Sequence, residues 1–222
     1  TTREKYFDNE KMLQEQLFYI RERNIGWDYY VPALIPHTVQ GLTASGFGCE
    51  IVYFEDEAPW TKRVIESPEE IRRLKKPSIY DGKMRDALEL TKYLVEQSNG
   101  RYPVTTSEIN GPLVVAEMIC GYEDFLVAIY THPKEVHMLL DMIADVIIEF
   151  EQAQRDLCEE FVPNLLAGSW SPDGVGITVA DDLLAIVSPN LYEEFGVPYI
   201  NRISDAFGGI MVHSCGDIGM NL

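Results

Sequence analysis

His213 and Cys215 stand one residue apart at the end of the short apolar run Gly209-Ile210-Met211-Val212. In an extended segment alternate side chains share a face, so this spacing presents an imidazole and a thiol to the same side. Neutral imidazole and thiolate are preferred zinc donors, and Gly216, next in the chain, allows the backbone to turn sharply beside them. A catalytic zinc takes three protein donors and keeps a fourth position open, so two residues make only part of a site. Taken alone, a His-x-Cys pair is more often a hydrogen-bonded core histidine next to a buried cysteine. Carboxylates complete the set of candidates. Asp181 and Asp182 follow the loop Trp170-Ser171-Pro172-Asp173-Gly174 and could orient a substrate or a metal-bound histidine, or serve as a helix cap. Glu108 closes a β-rich run and is expected at the same rim as His213. His37, on a proline-flanked loop with Trp27 and Trp60 as expected neighbours, reads as structural, and His132 and His137 at a helix start read as solvated.

These residues need elements to position them, and the hydrophobic pattern supplies them in alternation. Met12, Leu13, Leu17 and Ile20 mark an amphipathic helix over 9–23, closed by Asn24-Ile25-Gly26. From 29 to 58 short apolar runs are broken by prolines and glycines, with a strand expected over 49–54. Ser67-Pro68-Glu69-Glu70 opens a helix, and another is expected over 82–96. A strand over 102–107 leads through the loop 108–112 into a helix reaching about Tyr130. A long helix over 133–160 carries Val136, Leu139, Leu140, Ile143, Ile147 and Phe150 at helical spacing, and a strand follows over 164–167. Ser188-Pro189 opens a helix to Phe207, and 209–213 reads as a compact buried strand.

Strand and helix in alternation imply a parallel sheet with crossover helices, either doubly wound or closed into an eight-stranded barrel. The chain lacks a glycine-rich dinucleotide fingerprint after an early strand, which favours the barrel. The fold class expected is therefore α/β, a parallel (β/α)8 TIM barrel with an N-terminal helical extension. It is expected to be incomplete at its C-terminus, because a full barrel takes about 250 residues and only five or so strands are legible here. One domain is expected, with 1–80 as its N-terminal part and 81–222 as barrel. In this architecture catalytic groups gather at the C-terminal ends of the strands, where His213 falls.

Composition narrows the partners. With 18 basic and 36 acidic side chains the net charge is −18, which repels nucleic-acid phosphates and anionic lipid heads. No run approaches the roughly 20 apolar residues of a membrane helix, and the polar opening Thr1-Thr2-Arg3-Glu4-Lys5 is unlike a signal peptide, so a cytoplasmic protein is expected. The four cysteines are widely spaced, unlike a disulfide framework; Cys120 and Cys158, within helical patterns, read as small buried hydrophobes.

Three stretches resemble the uroporphyrinogen decarboxylase-like superfamily, which includes corrinoid-dependent zinc methyltransferases. They are Asn110-Gly111-Pro112 with the helix to Gly121-Tyr122-Glu123-Asp124-Phe125-Leu126; Asp181-Asp182-Leu183 to Ser188-Pro189, with Tyr192-Glu193-Glu194-Phe195 and Pro198-Tyr199; and His213-Ser214-Cys215-Gly216. Phe47-Gly48-Cys49-Glu50 and Ser67-Pro68-Glu69-Glu70 carry a looser likeness. In the methyltransferase branch the His-x-Cys-Gly motif gives two zinc ligands and a much later cysteine the third; His213 and Cys215 match, and the third has no counterpart in this sequence. The decarboxylase branch has an arginine-rich motif near its N-terminus that is not found here. The resemblance thus implies a zinc-dependent methyltransferase moving a methyl group from a corrinoid protein to a small thiol, with a homodimer as a further expected assembly. A tetrapyrrole decarboxylase and a non-catalytic binding barrel are the alternatives.

Overall fold

The structure, a computed structural model, describes residues 3–23, 31–158, 161–162, 172 and 175–221. Helix α1 (Asn9–Arg23) follows a 3-10 turn at Arg3–Tyr6. It is succeeded by the short α2 (Leu42–Gly46), the strands β1 (Glu50–Val52) and β2 (Trp60–Lys62), and helix α3 (Lys83–Ser98). The amphipathic spacing in α1 does what it predicts: Met12, Leu13 and Ile20 are buried with Leu34, Leu90, Leu94 and Val104 in a small core under the N-terminal part. The strand expected over 49–54 is shorter, and β1 and β2 form an antiparallel hairpin with Glu50 opposite Lys62. Ser67-Pro68 starts only a 3-10 helix, Pro68–Arg73, instead of an α-helix. Leu74 is already extended, and Pro77 follows close behind, where the residue before a proline is pushed out of the helical region.

Helix α4 (Pro112–Cys120), α5 (Tyr122–Thr131) and α6 (Pro133–Asp156) follow strand β3 (Val104–Thr105). One helix was expected where α4 and α5 stand. Gly121 parts them at φ +87°, a conformation that L side chains rarely adopt, so the chain turns there. On α6, Val136, Leu139, Leu140, Ile143, Ala144, Ile147 and Phe150 recur every three or four residues and are all fully buried. Burial of each large side chain in this stripe is worth about 1.5–3 kcal/mol. The stripe packs against α4, the 3-10 helix and α8 (Val197–Phe207), which makes α6 the spine of the main core. Cys120 is buried as expected, at the last position of α4, whereas Cys158 is half-buried just beyond α6.

All described pairings among the later strands are parallel. Leu34 bridges Val104, β3 pairs with β4 (Phe161–Val162), Asn110 bridges Ala180, and β5 (Ile177–Ala180) pairs with β6 (Ile210–His213). Helices α4 to α6 connect β3 to the strands that follow, and α7 (Pro189–Phe195) and α8 connect β5 to β6, as crossover connections require. The strand expected over 164–167 lies outside the described residues. Among the described residues the strands form three two-stranded sheets, the antiparallel β1-β2 and the parallel β3-β4 and β5-β6, and not the closed ring of an eight-stranded barrel. Strand β6, expected to be buried, is half-buried: among the described residues its ladder runs along β5 alone. The single helix expected from Ser188 to Phe207 is broken at Gly196, because Pro198 has no N–H to continue the ladder. No helix among the described residues is long and apolar enough to cross a membrane.

A buried polar layer lies between α6 and the strands. Gln154, fully buried, donates to the hydroxyls of Thr91 and Ser107 at 2.7 and 2.8 Å and accepts from the Ser107 N–H at 3.0 Å. Glu151, also fully buried, meets Arg155 at 3.3 Å, yet burial outweighs that partner and pushes its carboxyl up to about 7 from 4.5. A carboxyl raised in this way keeps in the folded state a proton that the unfolded chain has released. Its stabilising contribution is complete below about pH 4.5 and is lost as pH rises through about 7. Urea unfolding across this window is expected to show stability falling with pH, with a shallower fall in Glu151→Gln; an identical slope in the variant would contradict the burial of that charge.

Candidate metal centre

The ends of β5 and β6 build the site. Their register pairs Ala180 with His213, and the Asp181 N–H donates to the His213 carbonyl at 2.8 Å, so the two strands stop level with each other. Continuing that register by two residues sets Asp182 opposite Cys215, and there the Cys215 N–H donates to Asp182 Oδ1 at 2.6 Å. Beyond the strand, the loop carrying Cys215 is pinned over the 3-10 turn Asp182–Ala185, where the Asn221 amide donates to the carbonyls of Leu184 and Val187 at 2.6 and 3.1 Å. Gly216 permits this fit for a reason other than the expected one. Its φ is not positive; instead a Cβ there would collide with the Ala185 side chain.

His213 Nε2 and Cys215 Sγ lie 3.5 Å apart, and with a carboxylate oxygen of Asp182 they form a group whose donor atoms all fall within 4.8 Å of one another. Two donors held about 2.0–2.3 Å from a tetrahedral metal sit roughly 3.5 Å from each other, so the nitrogen–sulfur separation fits a shared cation. The chemistry of the set agrees. With no cation present, the Asp182 carboxylate raises the Cys215 thiol above its ordinary value, slight burial and Glu108 adding to it; a divalent cation would reverse that bias. Cys215 is the exposed member of the four cysteines, whereas Cys49 and Cys120 are buried and pushed up to about 12, which leaves them inert thiols.

The two adjacent aspartates part company. Asp182 is exposed at the rim, while Asp181 is fully buried and its Oδ2 accepts from the Leu113 N–H, in the first turn of α4, at 3.2 Å. It caps the wrong helix for its sequence position, the one 68 residues earlier. Burial pushes the Asp181 carboxyl up to about 7. Asn110-Gly111-Pro112 makes this contact work. Asn110 pairs with Ala180, and its Oδ1 accepts from the Gly41 N–H at 3.1 Å. Pro112 opens α4, and Gly111 passes so near Asp181 that a Cβ would lie 2.6 Å from the Asp181 Cβ.

Glu108 is exposed at the same rim. Desolvation raises its carboxyl, His213 opposes that shift, and Asp182 adds to it, so the three sites feel one another's charge. Glu108 also lines a cavity of about 280 Å³ with Tyr6, Glu15 and His37, which puts His37, expected to be structural, on the wall of that cavity. Trp60 is exposed on β2, and Trp27 lies outside the described residues. His137 is not solvated as expected: its ring stacks on Phe195 at 4.6 Å and its Nδ1 meets the Tyr199 hydroxyl at 2.7 Å. His132 ends α5, with Nε2 3.1 Å from Glu69.

A family model described as uroporphyrinogen decarboxylase (URO-D) matches residues 33–222. The chain belongs to this family. It is similar to the Methylcobamide:CoM methyltransferase MtbA of Methanosarcina acetivorans, 26% identical over 177 residues, which cover 77% of this chain and 48% of that protein. A uroporphyrinogen decarboxylase of Xanthomonas campestris pv. campestris is 24% identical over 162 residues, covering 71% of this chain and 41% of that enzyme. Among solved structures, a methyltransferase from Methanosarcina mazei shares the fold with a TM-score of 0.67 at 18% identity, covering 84% of this chain and 52% of that one. The URO-D chain spans about half the length of the relatives it matches.

Gly111→Ala is expected to lower the stability of this URO-D chain by about 1–3 kcal/mol, the usual cost of overpacking. Denaturant unfolding measures it, and an unchanged midpoint would contradict the packing of Asp181 against Gly111.

Proposed function

We propose that this chain is the metal-holding portion of a zinc-dependent methyltransferase that moves a methyl group from a corrinoid protein to a small thiol. The observation that carries the reading is the 3.5 Å separation of His213 Nε2 and Cys215 Sγ, at a strand end with a carboxylate alongside. A relative named for methyl transfer between a cobamide and CoM supports it. His213 and Cys215 would hold the zinc, and zinc when bound keeps an arriving acceptor thiol in its deprotonated form at neutral pH.

The protein's own residues do the remaining work. Glu108, at the same rim and within reach of the charges of His213 and Asp182, would offer a polar contact to the arriving acceptor, whose proton leaves to solvent. The Asp181 N–H fixes the His213 backbone at 2.8 Å, and the Cys215 N–H bond to Asp182 fixes the loop, so the imidazole and sulfur are positioned before substrate arrives. The thiolate takes the methyl group by in-line displacement, a reaction that asks the protein for positioning and exclusion of water. A tetrapyrrole decarboxylase, the competing reading, needs cations to grip substrate carboxylates. The cavity that Glu108 lines instead carries Glu15 as a second carboxylate, which disfavours a polycarboxylate substrate there.

Elemental analysis of protein purified without added metal tests the proposal. About one zinc per chain is expected, lost in both His213→Ala and Cys215→Ser. A parent protein without zinc, or variants that retain it, would overturn the proposal.

A further inference from the structure

We infer that Asp182 is a third donor to the metal, so that the chain carries a His, Cys and Asp ligand set of its own at the ends of β5 and β6. The inference rests on the metal-binding reading of His213 and Cys215. Two observations and one property of carboxylates carry it. An oxygen of the Asp182 carboxylate lies within 4.8 Å of both His213 nitrogen and Cys215 sulfur, near enough for a small side-chain shift to bring the three to the roughly 3.3–3.6 Å separations of donors around a tetrahedral zinc. The strand register, which pairs Ala180 with His213, brings residue 182 level with residue 215, and the bond from the Cys215 N–H to Asp182 Oδ1 holds it there at 2.6 Å. A carboxylate has two oxygens and about four lone-pair sites, so that bond leaves capacity for a cation.

The geometry also separates Asp182 from its neighbour. Asp181 is spent inside the fold on the Leu113 N–H, while Asp182 stands exposed beside an exposed thiol. Zn²⁺ is bound well by one sulfur, one nitrogen and one oxygen. Such a set leaves one tetrahedral position to a further donor or to an acceptor.

Asp182→Asn is the discriminating variant, because its amide oxygen still accepts the Cys215 N–H while the ligating charge is gone. Zinc affinity of the 222-residue chain is measured by chelator competition, and the cobalt(II) form by absorption. The expected result is a loss of affinity of about a hundredfold or more in Asp182→Asn, beyond the roughly 10–100-fold that loss of an outer partner costs. The cobalt d–d bands should change, while the sulfur-to-cobalt charge-transfer band persists. Parent-like affinity with an unchanged cobalt spectrum would overturn the assignment of Asp182 and leave His213 and Cys215 standing. A parent chain that binds neither metal would overturn the metal reading itself, and this inference with it.

Discussion

The site depends on one ladder. Strands β5 and β6 run parallel with Ala180 opposite His213, and the Asp181 N–H closes the ladder on the His213 carbonyl. Parallel strands bring their C-terminal ends to the same edge, so residues that leave the two strands arrive side by side even though more than thirty positions separate them in sequence. A one-residue slip of β6 would turn His213 and Cys215 to the opposite face and remove the donor group altogether. The large core behind the ladder, with α6 as its spine and α8 returning to β6, is what prevents that slip.

Two neighbouring carboxylates show how the fold divides labour. Asp181 is buried and ties the start of α4 to the end of β5; Asp182 faces outward beside sulfur and imidazole. The first contact costs the fold an ionised or neutral carboxyl in a dry place, and the missing side chain of Gly111 makes room for it. This explains in physical terms why Asn110-Gly111-Pro112 and Asp181-Asp182 are needed together: they form one joint, in which the strand bridge, the helix start and the cap share the same few atoms.

Much of this architecture was legible because it follows from periodicity. The stripe on α6, the crossover order, and the placement of His213 and Cys215 on a strand end came from spacing alone. Helix breaks at Gly121 and Gly196 were missed, since a glycine reads as tolerable inside an apolar pattern until its φ or a following proline decides otherwise. The packing of His137 on Phe195 is a tertiary contact across 58 residues and leaves no local trace. The cap from Asp181 is equally non-local. Asp182 had a usable signal, because two residues past Ala180 and two past His213 must face each other if the strands are parallel and level, yet that register could not be fixed from one chain's pattern. Closure of a barrel stands outside what the described residues display, and β6, paired among them with β5 alone, is half-buried.

The central claim is that sulfur and nitrogen from β6 share one metal. X-ray absorption at the zinc edge of the metal-loaded 222-residue chain tests it most directly. The account predicts one sulfur at about 2.3 Å together with nitrogen and oxygen neighbours at about 2.0–2.2 Å. A zinc shell of nitrogen and oxygen alone, with no sulfur, would contradict it.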